Sequence, residues 1–268
     1  MRKSMAMTLA VLSCLLGCQS RLQAAEWPQQ GGPDRNSIVP ERRLNMNWDA
    51  QTAPIRWRAN VGFGSSPVVV KDGRAYTFGA WLPGTSVEQL NDPARVVMER
   101  DLNKYDVTYQ QAIDFYPEVG IEGLLPRSRS STPEDLAKIL PEKRWRLMWE
   151  YVLCLDATTG KRIWATRISD HLLMSENHQQ WNRSSPLIVG DSLFVHDANG
   201  QLFRLDTKTG KIKWQANLAK HGMKSFHDKE PNSCGPLHYD GKIIVQYNNR
   251  GMVVGAFDAA SGKEAWVY

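Results

Sequence analysis

Side chains able to hold a ligand are concentrated in two polar stretches. One carries His178, Gln179, Gln180, Trp181, Asn182 and Arg183, the other His227, Asp228, Lys229, Glu230 and Asn232. Imidazole, amide, indole and guanidinium groups offer hydrogen bonds and stacking, which is the chemistry of recognition. A shared metal site is only weakly indicated, because His178 lies eight residues before Pro186 and His227 nine before Pro236. Asp228-Lys229-Glu230 reads as solvated charge. The chain has no G-x-S-x-G, no H-E-x-x-H and no Walker loop. Gly62-Phe63-Gly64-Ser65-Ser66 lacks the spacing of a nucleotide fingerprint and reads as the lead-in to a strand. The cysteines at 14, 18, 154 and 234 form no C-x-x-C, no adjacent pair and no zinc-ligand spacing. Cys154 and Cys234 read as small buried apolar residues rather than a disulfide. No catalytic, cofactor-binding or metal residue is assigned on this basis. His178, Trp181, Asn182, Arg183, His227, Asp228 and Asn232 are the candidate recognition residues.

The elements that must present these loops are set by a repeat. Asp156-Ala-Thr-Thr-Gly160-Lys161-Arg-Ile-Trp164 recurs as Asp206-Thr-Lys-Thr-Gly210-Lys211-Ile-Lys-Trp214 and as Asp258-Ala-Ala-Ser-Gly262-Lys263-Glu-Ala-Trp266, at intervals of 50 and 52 residues. Pro186, in Ser184-Ser185-Pro186, and Pro236, in Cys234-Gly235-Pro236, each follow the preceding Trp by 22 residues. Even the linking loops correspond, since His171 and His221 both fall seven residues after a Trp. Each unit reads as four strands. In the best-defined one these are 186–189, 192–196, 201–205 and 211–216, separated by Gly190-Asp191, the Asn199-Gly200 turn and the Asp206–Gly210 turn. Asp206 is placed to accept backbone N–H groups of its own turn, Gly210 to supply a left-handed residue, and Trp214 to fill the wedge between neighbouring sheets. Asp156, Gly160, Trp164, Asp258, Gly262 and Trp266 take the same structural roles. Four short strands per repeat of about 50 residues describe blades, so the expected fold is all-β, a β-propeller of four-stranded blades.

An earlier unit begins at Trp57 and Ser65-Ser66-Pro67, with strands at 68–70 and 74–78 around Asp72-Gly73. Its second half is displaced, since Pro67 to Asp156 is 89 residues against 20 from Pro186 to Asp206 and 22 from Pro236 to Asp258, which implies an insertion of about 68 residues, roughly Trp81 to Trp149. The expected organisation is an export signal over 1–25, a lead-in over 26–56, blades over 57–80 and 150–268, and a partly helical insertion over 81–149. Thr132-Pro133-Glu134-Asp135 carries the cap, proline and acids of a helix start. Leu136–Leu140 continues that helix, and a second helical stretch is expected from Arg144 to Tyr151.

Arg2 and Lys3 followed by an apolar run over 5–17 read as the export signal. Two cleavage readings stay open: a lipobox at Leu15-Leu16-Gly17-Cys18, which would lipidate Cys18, and an ordinary cut before Glu26. Without residues 1–25 the formal charge of +5 falls to +2, which disfavours a nucleic-acid partner. The expected location is the periplasm, the outer membrane through a lipid anchor, or the exterior.

The D-x-x-[TS]-G-K-x-x-W turn with its S-S-P strand start resembles the PQQ-like β-propeller repeat. That repeat occurs in quinoprotein alcohol dehydrogenases and in the outer-membrane assembly lipoprotein of Gram-negative bacteria. Trp27-Pro28-Gln29-Gln30-Gly31-Gly32-Pro33-Asp34-Arg35-Asn36 resembles the WPQ-x-x-G-P-x-R opening of secreted planctomycete-type propellers. In the dehydrogenases the resemblance implies a quinone beneath adjacent cysteines, with calcium or a lanthanide held by Glu, Asn and Asp. This chain has no Cys-Cys pair. No cofactor is therefore expected, and PQQ with calcium enters only if the chain is part of a quinoprotein dehydrogenase. The favoured reading is a protein- or ligand-binding scaffold of the cell envelope, with envelope proteins or a small ligand as partners.

At the repeat period the mature body holds roughly three to three and a half blades, fewer than the four to eight of a closed ring. The chain is thus expected to be a fragment or an incomplete ring, whose open blade edges invite self-association.

Overall fold

The computed structural model describes residues 26–38, 55–64, 66–81, 87, 90, 106–107, 145–175, 184–197, 200–218, 235–247 and 253–268. Within them thirteen strands form three antiparallel sheets. The first sheet contains β1 (Val69–Lys71), β2 (Arg74–Trp81), β3 (Asp106–Val107), β4 (Trp145–Asp156) and β5 (Arg162–Ser175). Its blade order is β1-β2-β4-β5, and β3 continues the β2 side of β4 through Val107 opposite Trp145. The second runs in order through β6 (Leu187–Val189), β7 (Ser192–His196), β8 (Gln201–Asp206) and β9 (Ile212–Asn217). The third repeats it with β10 (Leu237–Tyr239), β11 (Lys242–Tyr247), β12 (Val253–Asp258) and β13 (Glu264–Val267). These are three blades of a β-propeller, each strand paired with the next along the blade.

Local chemistry explains the hairpins. Asp72-Gly73 and Asp240-Gly241 join strands with only two residues, and all four have positive φ, between 46° and 69°. Such turns twist in the same sense as the strands they connect. Packing then follows the two-residue period of a strand. Leu193 and Val195 of β7 face Tyr76, Phe78 and Val152 of the first blade, whereas Phe194 faces Ile243, Val245 and Phe257 of the third. Every residue of β7 is buried, as a middle strand sandwiched between two blades requires. The outer strand β9 instead alternates half-buried and exposed.

One element differs from the sequence expectation. Of the stretch from Arg144 to Tyr151, expected to be helical, residues 145–151 belong instead to the long strand β4. It pairs with β2 out to Trp81 opposite Trp149 and with β5 out to Trp145 opposite Ser175. The run Leu147-Met148-Trp149-Glu150-Tyr151-Val152 has no polar helix face, and its aromatic and branched residues suit a strand paired on both sides. Two long neighbours decided the outcome over local propensity. The expected helix over 132–140 lies outside the described residues.

Candidate recognition face

The recurring turn is built the same way in each blade. Asp206 Oδ1 accepts the backbone N–H groups of Lys208 and Thr209 at 3.0 and 2.9 Å and the Thr209 hydroxyl at 2.9 Å. Asp156 does this with Thr158 and Thr159, and Asp258 with Ser261. These bonds favour the charged form. Donation from Thr209, first its hydroxyl and then its N–H, draws the Asp206 carboxyl down to about 2. Asp156 and Asp258 are lowered for the same reason.

Each turn also receives a tryptophan from earlier in the chain, Trp57 from the segment before β1 and Trp164 and Trp214 from the preceding blade. The indole N–H of Trp57 donates to Ala157 O at 3.0 Å, that of Trp164 to Thr207 O at 3.1 Å, and that of Trp214 to Ala259 O at 3.2 Å. The acceptor is always the residue after the turn aspartate. The indole then lies flat against the turn glycine, which has φ of 70°, 72° and 73° at positions 160, 210 and 262. A β-carbon there would come within 2.5–2.6 Å of the ring. Glycine is thus required twice, by the backbone angle and by the plate lying on it. Trp266 packs on Tyr268, with ring centroids 5.4 Å apart.

This ladder fixes the blades so that the starts of their inner strands converge. Ser66 Oγ donates to Ser184 O at 3.1 Å, and a β-carbon on Gly235 would lie 2.8 Å from Ser185 O. Across these starts runs the N-terminal segment. Trp27 and Val70 exchange backbone hydrogen bonds of 2.8 Å, and Ile188 N–H donates to Pro28 O at 2.8 Å, so two residues strap the first blade to the second. The chain then folds into a tight turn over 29–37, held by Gly32 N–H to Gln29 O, Arg35 N–H to Gly32 O and Ser37 N–H to Gly31 O. Gly32, at φ 81°, rests on the Trp27 ring, 2.7 Å from where a β-carbon would sit. The Gln29 amide donates to Pro33 O at 2.9 Å and its oxygen accepts Arg35 Nε–H at 2.8 Å. Between this turn and the second and third blades opens a cleft of about 140 Å³, lined by Gln30, Arg35, Ser185, Pro186, Gly235 and Pro236.

The candidate loop residues His178, Trp181, Asn182, Arg183, His227, Asp228 and Asn232 lie outside the described residues, as do Cys18 and Cys234. What the structure does place is where their loops arrive. Residues 176–183 lead directly into Ser184-Ser185, and residues 219–234 lead into Gly235, two walls of the cleft. Cys154 is a free, fully buried thiol in the blade core, and desolvation pushes it up to about 12. Among the described residues no three His, Cys, Asp or Glu side chains group closely enough to hold an ion. Sequence reasoning missed Gln29, Gln30 and Arg35. Their signal was the WPQ-x-x-G-P-x-R opening, whose residues are far in sequence from the loops they join.

A family model described as the outer membrane protein assembly factor BamB matches residues 150–268. This segment matches the PQQ-like propeller repeat. The PQQ-like match covers the second half of the first blade and all of the next two. None of the curated proteins compared with the chain matches it. Among solved structures, the chain is similar to the quinohemoprotein alcohol dehydrogenase from Comamonas testosteroni, at 21% identity and a TM-score of 0.36, over 47% of this chain and 19% of that one. It is also similar to BamB from Moraxella catarrhalis, at 21% identity and a TM-score of 0.31, over 46% of this chain and 33% of that one. A computationally designed protein, Ika8, is similar at 8% identity and a TM-score of 0.31, over 46% of this chain and 33% of that one. The chain spans about a fifth to a third of the length of these three structures. The blade assignment rests on the strand order and register above.

Proposed function

We propose that this PQQ-like propeller is an exported binding scaffold of the cell envelope with no catalytic centre of its own. It would hold a partner protein or small ligand at the end where the loops over 176–183 and 219–234 enter the inner strands. The observation that carries this reading is a division of labour. Of the residues that recur from blade to blade, Asp holds its own turn, while Gly and Trp form the contact that docks each turn on an earlier tryptophan. The residues at the loop end differ between blades: His178-Gln179-Gln180-Trp181 stands in one, His227-Asp228-Lys229-Glu230 in the other. A rigid frame presenting dissimilar loops is how scaffolds acquire specificity. The family model, described for an assembly factor, supports the same reading and the envelope location.

The residues present do not fit a quinone of the dehydrogenase kind. No two cysteines are adjacent, and Cys154 lies in the blade core. The test is a titration of the chain with PQQ and calcium, read by tryptophan fluorescence, together with a dye-linked alcohol oxidation assay. The scaffold reading expects neither saturable quenching nor turnover. Measurable turnover would replace it with a piece of a quinoprotein dehydrogenase.

A further inference from the structure

We infer that the cleft between the N-terminal turn and the starts of β6 and β10 binds a carboxylate, with Arg35 as its counter-ion and Gln29 as the residue that aims it. The inference rests on reading this end of the blades as the recognition face, and it names the chemistry that face would read.

Four observations point to an anion. First, the turn is more elaborate than a strap needs. Trp27 and Pro28 already complete the backbone bonds to Val70 and Ile188, yet the chain continues into a closed turn with two non-glycine residues in left-handed conformations, Arg35 at φ 54° and Ser37 at φ 58°. Such backbone is disfavoured for side chains with a β-carbon and is retained where surrounding bonds enforce it. Second, the guanidinium is aimed. Gln29 is anchored by its amide to Pro33 O and holds Arg35 by Nε alone. Among the described residues neither terminal nitrogen has a hydrogen-bond partner, and a guanidinium edge bearing two N–H groups matches a carboxylate or similar planar anion. Third, none of the six described lining residues is acidic, and Arg35 is the one charged residue among them. Ser185 and Gln30 add further polar groups to the same walls. Fourth, the size fits: about 140 Å³ is comparable to a cavity that admits a benzene-sized group, so a carboxylate with its first few carbons would fill it.

A carboxylate can come from a free small acid or from an acidic side chain of a partner protein, and the test separates the two. The full chain is titrated calorimetrically with glutarate, with the neutral glutaramide, and with a blocked tripeptide carrying one Glu. Glutarate or the tripeptide should bind saturably with a Kd on the order of 1 mM, and glutaramide should not. Tighter binding of the tripeptide identifies a protein segment as the source, and equal or tighter binding of glutarate a small acid. Arg35→Gln should weaken binding at least tenfold, and Gln29→Ala several-fold. Arg35→Lys, which keeps the charge but loses the paired N–H groups, should fall between wild type and Arg35→Gln. Melting curves of each variant check that the turn still straps the blades. No saturable binding of either acid, or binding that Arg35→Gln leaves unchanged, overturns the inference without touching the scaffold reading, which stands or falls on the quinone titration and on partner capture.

Discussion

At the scale of single residues, two titrating groups give the fold separable responses to acid. His196 at the end of β7 is fully buried, and desolvation draws its imidazole down to about 4 from an ordinary 6.5. The folded chain therefore resists a proton that the unfolded chain takes up. Its contribution is complete above pH 6.5 and is lost as pH falls towards 4, by up to about 3 kcal/mol. Asp206, held near 2 by Thr209 against an ordinary 3.8, acts in a lower window. Its contribution is present above about pH 4 and is lost as pH falls through 2. Urea unfolding at a series of pH values should show both declines. His196→Gln should flatten the upper one only, and Asp206→Asn the lower one only, with some loss of stability at neutral pH. A variant that flattens the wrong window would contradict these assignments. The turn aspartates were legible in the sequence because they repeat. His196 was not, because nothing in Phe194-Val195-His196 says that blades close over both faces of that strand.

At the scale of elements, the blades are held together by an indole lying on a glycine turn. Gly210→Ala should destabilise by about 2 kcal/mol or more, since the new β-carbon meets both a φ of 72° and the Trp164 ring at 2.5 Å. Trp164→Ala alone should cost about 3 kcal/mol. The double variant should be less unstable than the sum by at least about 1 kcal/mol, because removing the ring removes the clash. Simple additivity would mean that the two do not touch. Spacing alone revealed the turn, the glycine and the tryptophan as one motif. It could not reveal that each tryptophan serves the next blade's turn, a relation across 43 residues for Trp164 and Thr207 and across 100 for Trp57 and Ala157. Trp57 follows Asp49-Ala50-Gln51-Thr52-Ala53, which keeps the aspartate and threonine at the motif's spacing but has alanine in place of its glycine. The strand β4 was misread because strand pairing with β2 and β5 on both sides outweighed local pattern.

At the scale of the molecule, three blades, a strap and a loop-bearing end form one arrangement. Core clusters join the first blade to the second and the second to the third. Indoles dock each blade on the next turn, and Trp27-Pro28 spans the inner strands of the first two. The central claim is that binding lives in those loops and not in the repeat. It is tested most directly by crosslinking in cell envelopes with the wild-type chain and with a variant whose residues 178–183 and 227–232 are replaced by Gly and Ser. The account predicts a discrete crosslinked partner with the wild type and its loss from the variant, at unchanged melting temperature. The same partner captured equally by both chains, or none by either, would contradict it.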